Sequence, residues 1–381
     1  MNYVTRMRRE LHKIPELGFE LPKTVAFLKA QLDEIGIEYT EKYGISSIVA
    51  TVNPEKTNFT IGIRADIDGL PIQEINEVEY KSTIDGQMHA CGHDAHAAIA
   101  LATAKRLYAM RGQLNCRVKI LFQANEEISC GAKNMVEDGV MDDIDCIVAL
   151  HCAPELQTGS VRISAGELNA ISTSFKLKFF GKSTHAASQQ SGVDAIMMAV
   201  RAYTDLQFMV SKEVPAAERV IFNVGTFNGG TAKNVIAEYC ELVCTLRTWT
   251  ETRAQKILSR IRSIITHTAE DMGGRAEFEQ IAYYPIVIND EKVTERMKKV
   301  AVSLFGGEKV MPRPRGMGGE DFAYFAKEKP ACMVRFGTGN KEKGIVAGVH
   351  HNNFDVDEDA LELGVEMFTR FVLENQNGLN D

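Results

Sequence analysis

The stretch DGQMHACGHDAHAAIALATAKRLYAM, residues 85–110, places a polar turn directly before an apolar helix. Its first twelve residues hold three of the chain's nine histidines together with Cys91. Residues 95–110 are rich in Ala, Leu and Ile, as a buried helix is. A cysteine thiolate at a helix start is stabilised by the helix dipole and readily binds metal. The stretch therefore predicts a metal site at the beginning of a helix.

Apolar runs of strand length lie on both sides of this helix. The predicted strands are residues 47–52, 59–63, 117–122, 144–150 and 331–336. Strands that are apolar throughout and alternate with helices are typical of a mostly parallel sheet that helices cover on both faces. We therefore predict an α/β fold with a mostly parallel sheet for this part of the chain.

The pattern changes from about residue 169. The elements predicted there follow the order β-α-β-β-α-β, at 172–180, 194–210, 220–226, 239–248, 253–272 and 276–283. This is the order of a ferredoxin-like α+β unit. We expect a discontinuous metal-binding catalytic domain, residues 1–168 and 284–381, with an inserted small domain at 169–283 that serves as a lid or in dimerisation.

Length and charge argue against several classes of protein. A chain of 381 residues exceeds the usual size of a single core, so two domains are expected. The net charge of −8 argues against nucleic acid or an anionic membrane as a partner. The N-terminus has no signal-peptide pattern, and no run approaches the roughly 18 apolar residues that cross a bilayer. Eight cysteines without secretory features indicate free thiols or a metal ligand. We expect a cytoplasmic protein.

Carboxylates and a histidine follow the predicted strands. Asp66, Glu126, Glu127 and His151 each come just after an apolar run. Ligands of α/β sheets bind at the carboxyl ends of strands, so these side chains are candidates for one cleft. Two adjacent carboxylates would repel each other in a buried place without a cation. Because adjacent side chains diverge, one can bind a metal while the other acts as general base toward a metal-activated water.

Cys91 and His93 can bind one ion only across a tight turn, because side chains two residues apart diverge on a helix or strand. Gly92 permits such a turn. The chain has no C-x-x-C pair, so a mixed nitrogen, oxygen and sulfur site with an open position is favoured over a structural zinc site. Each feature alone has an ordinary alternative: a buried cysteine beside surface histidines, or a solvated acidic loop at 126–127.

Further motifs are spread over nearly the whole chain. They are RRELHKIPELGFE (8–20), RADIDGLPIQE (64–74), FQANEE (122–127), GKSTHAA (181–187), NVI (234–236), GGEDFA (318–323) and the HH pair at 350–351. Together with residues 85–96, they resemble the amidohydrolase branch of the aminoacylase-type metallopeptidases. This branch includes hippurate hydrolases, indole-acetyl-amino-acid hydrolases and N-acetyl-diaminopimelate deacetylases.

The resemblance implies a two-metal site and a reaction. The implied ligands are Cys91, His93, Glu127, His151 and His350. The implied cofactors are two divalent ions, and Mn, Zn, Co and Ni all suit such a ligand set. The implied reaction is metal-dependent cleavage of small-molecule N-acyl amino acids to a carboxylic acid and a free amino acid.

The resemblance also assigns roles outside the ligand set. Glu126 would be the general base, and Asp66 would orient a ligand. His185 of the small domain would polarise the scissile carbonyl, and a homodimer formed through that domain is one route by which it could reach the cleft. Asn234 and Arg247 would bind the substrate carboxylate.

Three alternative functions remain open. A dipeptidase or aminoacylase of the same family is the nearest, but such relatives carry a bridging aspartate where this chain has Cys91. A thiol hydrolase built on Cys91 would leave Glu126 unused. A non-catalytic metal-binding protein on this fold is the third. Departures from the family pattern at 124–125, 188–189 and 352–353 make the substrate preference an open question.

Overall fold

The computed structural model describes residues 1–379. The α-helices are α1 (Tyr3–His12), α2 (Pro22–Ile35), α3 (His93–Ala109), α4 (Glu126–Ser129), α5 (Gly131–Glu137), α6 (Ala195–Glu213), α7 (Glu251–Asp271), α8 (Glu291–Phe305), α9 (Phe322–Glu328) and α10 (Asp359–Asn375). None of the helices in these residues is both long enough and apolar enough to cross a bilayer.

The strands of the same residues range from two to twelve residues in length. They are β1 (Glu38–Thr40), β2 (Ile48–Val52), β3 (Thr60–Asp66), β4 (Arg117–Gln123), β5 (Cys146–Gln157), β6 (Val161–Arg162), β7 (Gly166–Asn169), β8 (Ile171–Phe180), β9 (Thr184–His185), β10 (Ile221–Gly229), β11 (Val235–Ile236), β12 (Tyr239–Thr248), β13 (Arg275–Tyr284), β14 (Val287–Asn289), β15 (Val310–Met311) and β16 (Ala331–Gly339).

The chain divides into two compact units. The first unit is Met1–Leu168, Val287–Pro314 and Asp321–Asp381, and the second is Asn169–Ile286 and Arg315–Glu320. Residues 284–286 and 315–320, which the sequence analysis placed in the catalytic domain, therefore group with the second unit.

The first unit is built on an eight-stranded sheet in the order β1-β2-β4-β3-β5-β16-β6-β15. Its central strands β4, β3, β5 and β16 are parallel to one another. Alternate residues of these strands enter two different cores, because successive side chains point to opposite faces. Val118, Ile120 and Val148 pack in the core that contains α3 and α10, whereas Leu121 and Ile147 pack in the core that contains α5 and α9. The α/β prediction is confirmed.

Several predicted strands end later than expected: β3 includes Asp66, β16 continues to Gly339, and the largest difference is at His151. The strand expected at 144–150 runs as β5 from Cys146 to Gln157, so His151 lies inside a strand rather than past its end. Pairing with β16 continues from Ala331 opposite Ile147 to Gly339 opposite Gln157, with an irregularity near Gly337. Because β5 pairs with β16 on both sides of this irregularity, residues 146–157 form one strand that includes Pro154.

The second unit has the ferredoxin-like arrangement that was predicted. Its four strands lie in the order β10-β12-β8-β13, and all neighbours are antiparallel. Phe175 and Leu177 of β8 and Leu242 of β12 pack against Leu206 of α6 and Ile261 of α7 in one core. Both helices thus cover one face of this sheet.

Candidate metal centre

Cys91 and His93 converge because Gly92 turns the chain immediately before α3. Gly92 has a φ of +88°, in the left-handed region. A β-carbon at this position would lie 2.9 Å from both Cβ and Sγ of Cys152, so the close approach also requires glycine. The turn that the spacing demands is present, and His93 is the first residue of α3.

All five ligands expected from the resemblance meet in the first unit. The ligand atoms of Cys91, His93 and His151 lie within 4.8 Å of one another, and so do those of Cys91, Glu127 and His350. Cys91 Sγ is 3.5 Å from His151 Nε2. Glu127 Oε1 is 3.8 Å from His93 Nε2 and 3.3 Å from His350 Nε2. The two groups of three overlap at Cys91.

The donor atoms of this cluster fit a divalent cation. Within residues 1–379, His93 Nε2 is buried and has no hydrogen-bond partner. A buried nitrogen in that position costs free energy unless another group satisfies it. Thiolate, imidazole and carboxylate are the ligand types that zinc and related transition metals accept. A metal on Nε2 would satisfy this atom.

Asp68 holds the ring of His93. Its Oδ1 is 3.2 Å from His93 Nδ1, and its Oδ2 accepts a hydrogen bond from the backbone N–H of Glu127 at 3.1 Å. Asp66, the carboxylate expected to orient a ligand, is 3.6 Å from His93 Nε2 and has its closest histidine contact, 2.5 Å, with His96 Nδ1. Sequence reasoning missed Asp68, although the Asp-Ile-Asp spacing was a signal.

Arg64 connects three motifs beneath the centre. Its Nη1 donates to Asp66 Oδ2, its Nη2 to Asp321 Oδ1 and its Nε to Gln123 Oε1, each at 2.7 Å. Burial alone would raise the pKa of Asp66, but the charges of Arg64 and His93 hold it well below its usual range. Asp66 is therefore ionised, and its contact with Arg64 fixes its position.

Glu126 and Glu127 are the first two residues of the four-residue helix α4. The residues directly before and after this helix have a left-handed backbone conformation. Asn125 has a φ of 59° and Cys130 a φ of 60°. Asparagine adopts this conformation more readily than most residues, so Asn125 suits the loop that departs from the family pattern. A ligand oxygen of the buried Glu126 lies within 4.8 Å of ligand atoms of His93 and Glu127.

His350 reaches the cluster from a loop. Its φ of 64° is left-handed, and its backbone N–H donates to Ala90 O at 2.7 Å. That bond ties the loop to the residue before Cys91. The side chain of His350 stays half exposed, whereas Cys91 and His93 are buried.

Carboxylates make the electrostatic potential negative at the ligand atoms of the cluster. Burial and the charges of Glu127 and Glu126 raise the pKa of the Cys91 thiol well above its usual value. Burial opposes protonation of His93, but Asp66 and Asp68 raise its pKa to about 10. The carboxylates around the ligand atoms contribute to both shifts. A bound cation would oppose both shifts.

The remaining candidates lie in the second unit. His185 ends β9, which pairs with β11, and Ala186 N donates to Asn234 O at 2.9 Å, so His185 and Asn234 are neighbours. His185 is exposed, and its Nδ1 accepts from Ala187 N at 3.1 Å. Arg247 on β12 donates from Nη1 to Met317 O at 2.5 Å. The functions of these three residues stay predictions.

Known proteins match the chain over most of its length. Residues 62–374 match the model of peptidase family M20/M25/M40. The IAA-amino acid hydrolase ILR1-like 4 of Arabidopsis thaliana is 33% identical over 98% of this chain and 86% of its own. The N-acetylcysteine deacetylase of Bacillus subtilis is 32% identical over 96% of this chain and 95% of its own.

A solved structure agrees with these relatives. The Bacillus subtilis YXEP protein, described as a dinuclear metal binding peptidase from the M20 family, superposes with a TM-score of 0.79 at 30% identity. The match covers 97% of both chains. The chain therefore belongs to peptidase family M20/M25/M40, as its motifs predicted, and is a metal-dependent hydrolase of amide bonds.

Proposed function

We propose that the protein is an N-acyl amino acid amidohydrolase that releases a carboxylic acid and a free amino acid. The observation that carries this proposal is the convergence of five ligand side chains with one additional buried carboxylate, Glu126. The names of the Arabidopsis hydrolase and the Bacillus deacetylase both describe N-acylated amino acids, which supports this substrate class.

The ligand set supports two divalent ions. Cys91 belongs both to the group with His93 and His151 and to the group with Glu127 and His350. A shared thiolate between two groups of three is compatible with two ions that have Cys91 in common. Mn, Zn, Co and Ni remain the candidates, because mixed N/O/S ligands suit all four.

Glu126 is the proposed general base. A divalent metal held by the proposed ligands would supply a water with a pKa near 7 and a Lewis acid for the acyl oxygen. Glu126 takes the proton of the attacking water and later delivers it to the leaving amine. Such proton transfer requires a carboxylate within hydrogen-bonding reach, and the placement of Glu126 beside His93 and Glu127 supports it.

The second unit is the proposed lid and supplies the substrate contacts. Because His185 Nδ1 accepts a hydrogen bond from Ala187 N, the ring hydrogen of the neutral imidazole is on Nε2. His185 can therefore donate to a developing oxyanion from Nε2. Asn234 and Arg247 are the proposed partners of the substrate carboxylate. The proposed domains are residues 1–168 with 284–381, and 169–283, apart from residues 284–286 and 315–320, which group with the second unit.

We also propose a homodimer through the second unit. β10 ends its sheet and pairs on one side with β12, so its other edge presents backbone N–H and C=O groups. Four large hydrophobic side chains of α6, namely Met197, Val200, Tyr203 and Phe208, are exposed. Exposed apolar rows of this kind mark interaction surfaces. Light scattering on the wild type and on Phe208→Glu tests the dimer, and a monomeric wild type would contradict it.

A cytoplasmic location is the remaining proposal. All eight cysteines are free thiols and buried. Free thiols suit a reducing compartment. Fractionation of cells that express the full chain would check the location.

Amine release tests the activity. The purified protein is assayed with acetyl, benzoyl and indole-acetyl amino acids, with a dipeptide panel beside them and metal analysis of the same sample. Release from N-acyl amino acids is expected. Turnover of dipeptides alone would favour the dipeptidase alternative, and no turnover of either panel by metal-loaded protein would favour a non-catalytic metal-binding protein.

A further inference from the structure

His151 lies between two groups that make opposite demands on one ring nitrogen. Nη1 of Arg335 is 2.9 Å from His151 Nδ1, and the backbone oxygen of Cys152 is 2.8 Å from the same atom. An arginine N–H only donates, and a carbonyl oxygen only accepts. Because Nδ1 of a neutral imidazole either carries the hydrogen or accepts one, only one of these contacts is a hydrogen bond at a time.

The choice between the two contacts determines what Nε2 can do. His151 Nε2 faces Cys91 Sγ at 3.5 Å, on the side of the proposed metal ligands. When Nδ1 donates to Cys152 O, Nε2 has a free lone pair and can bind a metal. When Nδ1 accepts from Arg335, the hydrogen is on Nε2 and metal binding there is blocked.

Arg335 has a second partner within reach. It lies on β16 directly opposite His151 on β5, and its Nη2 is 3.4 Å from Glu155 Oε1. Glu155 is four residues beyond His151 on the same strand, and its carboxylate lies near the same guanidinium. The guanidinium can therefore leave His151 and remain paired with a carboxylate.

We propose that Arg335 is a positioning residue that selects the tautomer of His151, and that metal binds His151 Nε2 only after the guanidinium has moved from Nδ1 to Glu155. The ring is neutral in both arrangements, and one hydrogen changes its place from Nε2 to Nδ1. The inference rests on the proposed function in one respect, since it takes His151 as a metal ligand.

Metal affinity is the first test. Zinc binding to the metal-depleted full chain is measured by competition with a chelator. Arg335→Met removes the donor that opposes metal binding, so it should bind zinc more tightly, by on the order of tenfold. Glu155→Gln removes the alternative partner and should bind zinc more weakly. A merely structural Arg335 predicts the reverse for Arg335→Met, and weaker or unchanged binding by that variant overturns the proposal.

Arg162→Met is the matched control. Arg162 on β6 lies opposite Arg335 in the register of the sheet, so this variant removes an equal charge from the neighbouring strand. It should change zinc affinity much less than Arg335→Met does. An equal gain in both variants would mean that general electrostatics, and not the contact with His151, sets the affinity, and the proposal would be overturned.

The tautomer itself is the second readout. Nitrogen NMR of histidine-labelled, metal-depleted protein should report the hydrogen of His151 on Nε2 in the wild type and on Nδ1 in Arg335→Met. His151→Gln identifies the signal and should lose zinc affinity. If His151→Gln binds zinc as the wild type does, the ligand set of the proposed function fails and this proposal fails with it. If it loses zinc while Arg335→Met keeps the wild-type tautomer, only the role of Arg335 fails.

Discussion

Asp68 connects His93 to Glu127: one carboxylate oxygen lies 3.2 Å from His93 Nδ1, and the other accepts the backbone N–H of Glu127. A carboxylate on Nδ1 holds the hydrogen there and directs the lone pair of Nε2 toward a metal. One side chain thus orients one proposed ligand and places the backbone of another.

We expect Asp68→Ala to lower metal affinity by roughly 10- to 100-fold, the usual cost of losing such a partner. Asp68→Asn keeps an acceptor oxygen and should lose less. Metal titration of both variants checks the order. Equal affinity in Asp68→Ala and wild type would show that His93 needs no such support.

Replacing Glu126 by Gln separates catalysis from metal binding. The variant should keep its metal content, because Glu127 and not Glu126 is in the proposed ligand set, and should lose turnover by roughly 10²- to 10⁴-fold. Metal analysis and amine release on one preparation measure both. Loss of metal in this variant would make Glu126 a ligand instead.

Gly92→Ala should disrupt the turn between Cys91 and His93. Its β-carbon would meet Cys152 at 2.9 Å in a left-handed backbone, so we expect reduced metal content and a lower thermal midpoint. Gly86→Ala is the control, because Gly86 has a φ of +75° with no atom within 4 Å of a β-carbon. A similar loss in both variants would point to backbone strain alone.

Chelation and alkylation distinguish the two enzyme classes that Cys91 allows. Removal of metal with a chelator should abolish amine release, and added divalent metal should restore it. A thiol hydrolase would keep its activity in the chelator and lose it on alkylation. Activity that survives complete metal removal would contradict the metal-dependent reaction.

Asp357 should make stability depend on acid pH. Burial tends to raise its pKa, but hydrogen bonds from Lys343, Asn340 and Thr158 lower it. Because the pKa of Asp357 is lower in the folded state, its carboxylate stabilises the fold above the unfolded-state pKa of about 3.9. This stabilisation is lost as the pH falls through the folded-state pKa.

Asp357→Asn measures this contribution. Its thermal midpoint should fall by roughly 2–4 °C at pH 7, and the difference from wild type should shrink below about pH 4. Lys343→Met, which removes one donor, should show a smaller change with the same dependence on pH. A difference that does not vary with pH would contradict the assignment.

Most of the fold follows from local patterns. Apolar runs of strand length and helical spacing predicted most of the longer strands and helices of both units, and the spacing of Cys91 and His93 predicted the turn at Gly92. Asp357 Oδ1 accepts a hydrogen bond of 3.4 Å from the backbone N–H of Asp359, where α10 begins, but the same carboxylate also binds the side chains of Lys343 and Thr158. Local sequence does not report such competing partners.

Contacts between distant residues were the part that the sequence could not supply. Arg64 meets Asp321 across 257 positions, and Arg335 meets His151 across 184. Neither arginine has a spacing that indicates its partner, since the register of β16 against β5 brings the second pair together. That Asp68, and not Asp66, contacts Nδ1 of His93 likewise depends on how the chain bends after β3.

The contact of Arg64 with Asp321 has a consequence for biosynthesis. Arg64 and Gln123 leave the ribosome long before Asp321, and His350 follows later still, after the whole inserted unit has been made. A growing chain therefore carries Cys91 and His93 before the contact of Arg64 with Asp321 can form and before His350, the last of the proposed ligands, is present. The complete set of proposed metal ligands therefore exists only once nearly the entire chain has been translated.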